Sequence, residues 1–319
     1  MMNNKSSGNS GEDIVLNPNG ETYNPISLNP FVTLKLICCL IGIPLNVTIA
    51  VTILRHRRLR CKPRNIFLLG ITLSFLTFFI PAMIELVYRI LLPIDPLCRA
   101  YVAFVGLPHG LLLFNMSLAL TDRFVAINYP LWHREKMTIG LASCFIVFGS
   151  TLIAFVLKFV FIVGLATLRC EMVIVHVQLL TITVAILLVL CTALNVIVYR
   201  QTKTLLRESR IIRSSSENRV RDNNSMSIHV NGGTLSQMGM EATRTLITGV
   251  TSLVVTAFLG VLFALIFLAC RLVDKFECSH LNWDMGPYFK ELGLIPAVYS
   301  PIVFLVRNKE LRTSMICKM

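Results

Sequence analysis

The chain has 319 residues, of which 55% are apolar and 15% charged, and its formal net charge is +13. A soluble domain carries about 25% charged residues, and here the excess apolar residues gather in runs of about 20 rather than scattering, which excludes an ordinary water-exposed globule. No His, Cys and Asp cluster shows metal-ligand spacing and no nucleophile motif occurs, so neither an enzyme, a cofactor nor a bound metal is expected.

In chain order, residues 1–30 are polar and read as an extracellular tail, with no apolar stretch of the signal-peptide kind ahead of the first long run. Asn4-Lys5-Ser6 is a glycosylation sequon there, whereas the matches at Asn46, Asn115 and Asn223 fall inside helices or on the cytoplasmic side and should be inert. Seven apolar runs follow, at 31–54, 65–90, 97–127, 138–164, 173–199, 243–270 and 286–306. About 20 residues at 1.5 Å rise cross a hydrocarbon core of roughly 30 Å. The sequence therefore predicts an all-α membrane protein, a seven-transmembrane helix bundle over 31–306. The seventh run is the least regular, because Lys290 and Glu291 sit near its start, and six spans is the alternative count.

Between the fifth and sixth runs, residues about 201–242 are rich in Ser, Asn, Gly and Arg and read as a mobile third inner loop for much of their length. Helix five is expected to continue through 203–212, and Gly232-Gly233 to break any further helix. Residues 307–319 read as a short amphipathic surface helix and tail, with Leu311, Met315 and Ile316 on one side. No internal repeat or inverted half-and-half symmetry is found, which argues against a transporter or channel.

Orientation follows from the basic residues. The segment 55–64, the turn with Arg123, Arg134 and Lys136, the fifth-to-sixth loop and the C-terminal segment together hold 21 of the 30 Lys and Arg. Positive charge stays cytoplasmic, so the N-terminus is expected outside and the C-terminus inside the plasma membrane. The net charge then reflects an inner face towards anionic lipid and an acidic partner, and no nucleic acid is called for.

The most specific signal surrounds the third run. Cys98 stands near its outer end and Asp122-Arg123-Phe124 at its inner end, 25 residues from Cys98 to Arg123, or about 37 Å of continuous helix. An Arg at a membrane helix end is costly unless paired or wet, and Asp122 can hold it until a cytoplasmic partner releases it. The bland alternative is an Arg that only snorkels to headgroups. Cys170 is the one cysteine in the short second outer loop, on the same side as Cys98, and such a pair in an oxidising compartment reads as a bridge. Cys270 and Cys278 flank the third outer loop and are a second possible bridge. Cys38, Cys39, Cys144 and Cys191 read as packing residues, and Cys317 as a palmitoylation candidate.

The third run, with the Pro130-Leu131 that follows it, resembles the rhodopsin-like (class A) G-protein-coupled receptors, and the resemblance covers residues 31–317. It implies a receptor that binds an extracellular ligand and activates a heterotrimeric G protein. It also implies the Cys98–Cys170 bridge, an activation role for Tyr199 in helix five, and one for Pro301 and Phe304 in Ser300-Pro301-Ile302-Val303-Phe304, similar to the family's Asn-Pro-x-x-Tyr motif. Glu241, at the inner start of helix six, is expected to pair with Arg123 at rest. Asn46 and the run from Asn65 match the family's helices one and two.

Departures are several. Phe124 stands for the usual Tyr, Phe75 for the sodium-binding Asp, Gly149 or Ser150 for the helix-four Trp, Cys191 for the helix-five Pro, and the Cys-Trp-x-Pro of helix six is missing. These point to a divergent orphan or chemosensory member, and they keep open a seven-helix protein that no longer signals and serves as scaffold or dimer partner. Ligand-pocket candidates in the outer halves are Glu85, Val105, His109, His176, Gln178, Tyr288 and Glu291, with Arg89, Lys158 and Lys290 near enough to the surface to snorkel. Val105 stands where amine receptors place an Asp, and Leu294 where opsins place their Lys, so monoamine and retinal are disfavoured.

Overall fold

The computed structural model describes residues 30–91, 95–164, 174–222, 232–273, 293–307 and 311–313. All the regular structure among them is helical: α1 Pro30–Arg55, α2 Arg57–Arg60, α3 Pro63–Leu91, α4 Asp95–Phe104, α5 Leu107–Asn128, α6 Pro130–Lys136, α7 Ile139–Ile162, α8 Ile174–Asp222, α9 Gly232–Val273 and α10 Leu294–Arg307.

Among the described residues, six stretches are long and apolar enough to cross a membrane: Val32–Arg55, Pro63–Tyr88, Asp95–Asn128, Ile139–Ile162, Val175–Arg207 and Leu246–Cys270. The chain is thus of membrane-protein character. α10 is apolar but has 14 residues, about 21 Å of helix against a core of roughly 30 Å. Most of the preceding stretch of the seventh run, with Lys290 and Glu291, lies outside the described residues.

The helices pack as a closed ring around one central helix. α1 touches α3, α3 touches α7, α7 touches α8, α8 touches α9, α9 touches α10, and α10 returns to α1. α5 touches α3, α7, α8 and α9 and fills the middle. Its sequence explains the place. Leu112, Leu113, Met116, Ala119 and Leu120 are all buried, together with the small or polar Gly110, Asn115 and Ser117. By contrast α7 buries little and exposes Val147, Phe148, Leu152 and Phe155, which suits a helix with lipid on one side. Thr138 caps α7, accepting a hydrogen bond from Leu141 N at 3.2 Å.

Three expectations change. The third run is not one helix, because α4 and α5 are separated at Val105–Gly106, where Gly106 has φ +77°. The fifth helix runs on to Asp222 rather than ending near 212, since 174–222 contains no Gly or Pro and is rich in good helix formers beyond Arg200. And Gly232-Gly233 begins α9 instead of breaking it, so much of the expected loop is helix. Near the C-terminus only 311–313 of the expected surface helix is described, and Leu311 is buried against Ile49, Ile53 and Leu59.

Candidate functional site

Two polar constellations sit at opposite ends of α5, with a third between them.

At the Asp122 end, α5 stops at Asn128 and Pro130 at the first position of α6 starts the next helix. This turn carries His133 back over α5. Asp122 is 2% exposed, and its Oδ1 lies 2.8 Å from His133 Nε2, while its Oδ2 lies 3.4 Å from Arg123 Nη2. A carboxylate only accepts, so His133 Nε2 is the donor. Arg123 is largely buried, with Arg64 near enough to repel it. The expected Asp122–Arg123 pair is therefore formed, with an imidazole added that the motif alone does not show. The signal for His133 was its place on a short loop eleven residues after Asp122.

Around that centre the neighbouring helices are tied by single polar bonds. Gln201 Nε2 donates to Asn128 Oδ1 at 3.1 Å, linking α8 to α5. Asn195 Nδ2 donates to Thr251 Oγ1 at 3.0 Å, linking α8 to α9. Arg307 Nη1 donates to Thr248 Oγ1 at 3.2 Å, linking α10 to α9. Phe304 and Pro301 are buried in α10, and a Cβ on Gly249 would stand 3.3 Å from the Phe304 ring, so α9 and α10 press together there. Phe124 packs against the core. Tyr199 is 52% exposed. The side chain of Glu241 lies outside the described residues.

In the middle, Asn115 Nδ2 reaches Ser74 Oγ at 2.9 Å, Leu111 O at 3.0 Å and Ser150 Oγ at 3.2 Å, joining α3, α5 and α7. Ser150 takes over in polar form a position where the resemblance expects Trp, and Gly149 beside it leaves room for the Phe114 ring. Asn46 Nδ2 donates to Ala297 O at 3.0 Å and Gly42 O at 2.8 Å, joining α1 to α10. Phe75 is fully buried in the apolar core.

At the Cys98 end, the break at Val105–Gly106 frees the last carbonyls of α4. Lys158, from α7, donates to Val105 O at 3.0 Å and to Val102 O at 3.3 Å. Its Nζ is also 3.3 Å from Nε2 of His176, which is buried and packs on the Phe161 ring at 4.5 Å between centroids. Lys158 and His176 are thus brought together, and Lys158 turns inward to the break instead of snorkelling. Glu85 pairs with Lys35 of α1 at 2.7 Å, both side chains largely buried. Lys35 was missed because one charge near the start of an apolar run reads as a flank. His109 stacks edge-on to Phe78 at 4.8 Å and has Gly293 beside it, where a Cβ would stand 3.1 Å from His109 Nε2. Val105 and Gln178 are half-buried. Cys98 and Cys270 are each disulfide-bonded, and Cys38, Cys39, Cys61, Cys144 and Cys191 form no disulfide. Asn4, Cys170, Cys278, Tyr288, Glu291 and Cys317 lie outside the described residues, as does the side chain of Arg89.

No family profile matches the chain. It is 28% identical over 126 residues to the D(1B) dopamine receptor of Mus musculus, a match that covers 38% of this chain and 25% of that protein. The chain thus spans about a quarter of the length of the curated relative it matches. With the helical ring and the six membrane-capable stretches, this likeness supports a fold like that of the G-protein-coupled receptors.

Proposed function

We propose that the chain is a rhodopsin-like receptor with seven spans, α10 completing the seventh, which binds a ligand at its Cys98 end and activates a heterotrimeric G protein at its Asp122 end. The observation that carries this reading is Arg123 held by the buried Asp122, which His133 holds in turn, at the end of the central helix. An ion pair there is a latch that a cytoplasmic partner can open. Among the described residues, Asn195–Thr251 ties α8 to α9 and Arg307–Thr248 ties α10 to α9, polar ties of about 1 kcal/mol net each that a partner can exchange. A ligand shifts the population by binding the parted state more tightly.

On this reading the N-terminus and the Cys98 end face outwards at the plasma membrane and the C-terminus faces the cytoplasm. Cys98 bridges to Cys170 and Cys270 to Cys278, Asn4 carries a glycan, and Cys317 is lipidated. Glu241 pairs with Arg123 at rest, and Tyr199 meets Arg123 only after the helices rearrange. No enzymatic step, cofactor or nucleic acid is part of the proposal, and membrane lipid surrounds the ring. Dopamine, named for the relative, does not carry over, because Val105 offers no carboxylate to an amine. The break at Val105–Gly106 is the feature that would favour a transporter, but the sequence has none of the internal repeats such folds use.

Asp122→Asn weakens the hold on Arg123, so basal activation of one Gα class should rise above wild type in cells at matched surface expression. Basal activity unchanged in every class would refute the latch.

A further inference from the structure

We infer that Lys158 anchors the anionic headgroup of a membrane-resident amphiphile, a carboxylate or phosphate on a hydrocarbon tail. Two other in-span cations offer a comparison. Lys35 has Glu85 at 2.7 Å and Arg123 has Asp122 at 3.4 Å. Lys158 has only neutral partners, namely the carbonyls of Val102 and Val105 and the imidazole of His176. None of the three brings a negative charge, and the imidazole, at 3.3 Å, is an acceptor that an anionic oxygen can displace from the ammonium. The freed carbonyls at the C-terminus of α4 offset part of the charge, as a helix C-terminus does. No carboxylate among the described residues compensates the remainder, and an in-span charge is there for a reason.

The surroundings fit an amphiphile rather than a soluble anion. Lys158 lies four residues before the end of α7 at Ile162, about 6 Å along the axis, which is the depth where headgroup meets hydrocarbon. It is half-buried, so it is reachable. Phe155 and Ile162, three and four residues from Lys158 on its own stretch of the helix surface, are exposed, as is Phe159, whose ring stands edge to face with Phe155 at 5.9 Å. A tail lying along these side chains would place its headgroup at the ammonium from the lipid side. Phe161, with its centroid 5.9 Å from Nζ, closes the other side.

This inference rests on reading the Cys98 end as the ligand-binding end, but its test contains no G protein, so a chain that never couples would still show the site. The protein is placed in nanodiscs of neutral phosphatidylcholine and labelled with photoreactive palmitate, or with the matching photoreactive hexadecanol. Palmitate should label the α7 peptide about tenfold more than the alcohol, the value of one charge-assisted hydrogen bond. Lys158→Gln, which keeps a donor for the α4 carbonyls, should lose that preference, and Lys158→Arg should keep it. Equal labelling by acid and alcohol in the wild type overturns the proposal, and needs no variant to fold. A preference surviving in Lys158→Gln overturns it too. Competition by inorganic phosphate alone would assign the site to free anions and overturn the amphiphile.

Discussion

The Lys35–Glu85 pair makes a quantitative prediction. It joins α1 to α3 at 2.7 Å with side chains 6% and 19% exposed, so Glu85→Gln replaces the carboxylate beside a buried ammonium with a neutral amide. Removing one partner of a buried pair costs about 3–5 kcal/mol, whereas replacing both with apolar groups is near neutral. The lower end applies here, since Glu85 keeps some exposure. At about 2 °C per kcal/mol for a chain of this size, Glu85→Gln should lower the midpoint of thermal unfolding in detergent by about 6 °C or more. The double variant Lys35→Met, Glu85→Leu should recover most of that loss, a coupling that a double-mutant cycle reads directly. A single variant as stable as wild type, or a double variant no better than the single, would refute the claim that this contact is a desolvated ion pair.

Two further outcomes concern the central helix. Gly106→Ala places a Cβ at φ +77°, where it meets the Leu180 side chain. The left-handed conformation alone costs roughly 1–2 kcal/mol, so a lower unfolding midpoint is expected, and an unchanged one would show that the break between α4 and α5 is not held. Asn115→Leu removes the donor shared by Ser74 and Ser150 and should cost about 1–2 kcal/mol through the hydrogen bonds lost, with Ser74 still donating to Gly70 O. An equal or higher midpoint in the same melt would show that this junction of α3, α5 and α7 contributes nothing.

What the sequence made legible is what depends on local pattern. The first, second and fourth runs match α1, α3 and α7 closely, because apolar length alone dictates a spanning helix. The Asp122–Arg123 pair was legible because the two residues are neighbours. The break at Gly106 was not, since an isolated Gly is common in membrane helices. What accompanies the opening of the chain there is Lys158, 53 residues further on. Ser150 on Asn115, 35 residues apart, is likewise a contact between segments that no local window contains. Asn115 was set aside as a buried sequon, and burial is what gives it a structural role. The extension of α8 was underestimated because polar composition was read as loop, although Lys, Arg, Glu and Leu are good helix formers.

Nucleotide exchange on purified Gα subunits, driven by the purified chain in nanodiscs, separates a receptor from a silent bundle most directly. Asp122→Asn should speed exchange on at least one Gα class above the wild-type rate, and adding Arg123→Ala to the same chain should return it to the rate of empty nanodiscs. Exchange at the empty-nanodisc rate for every class with both wild type and Asp122→Asn, in protein that melts cooperatively, would contradict G-protein activation and leave a bundle whose ion pair serves stability alone.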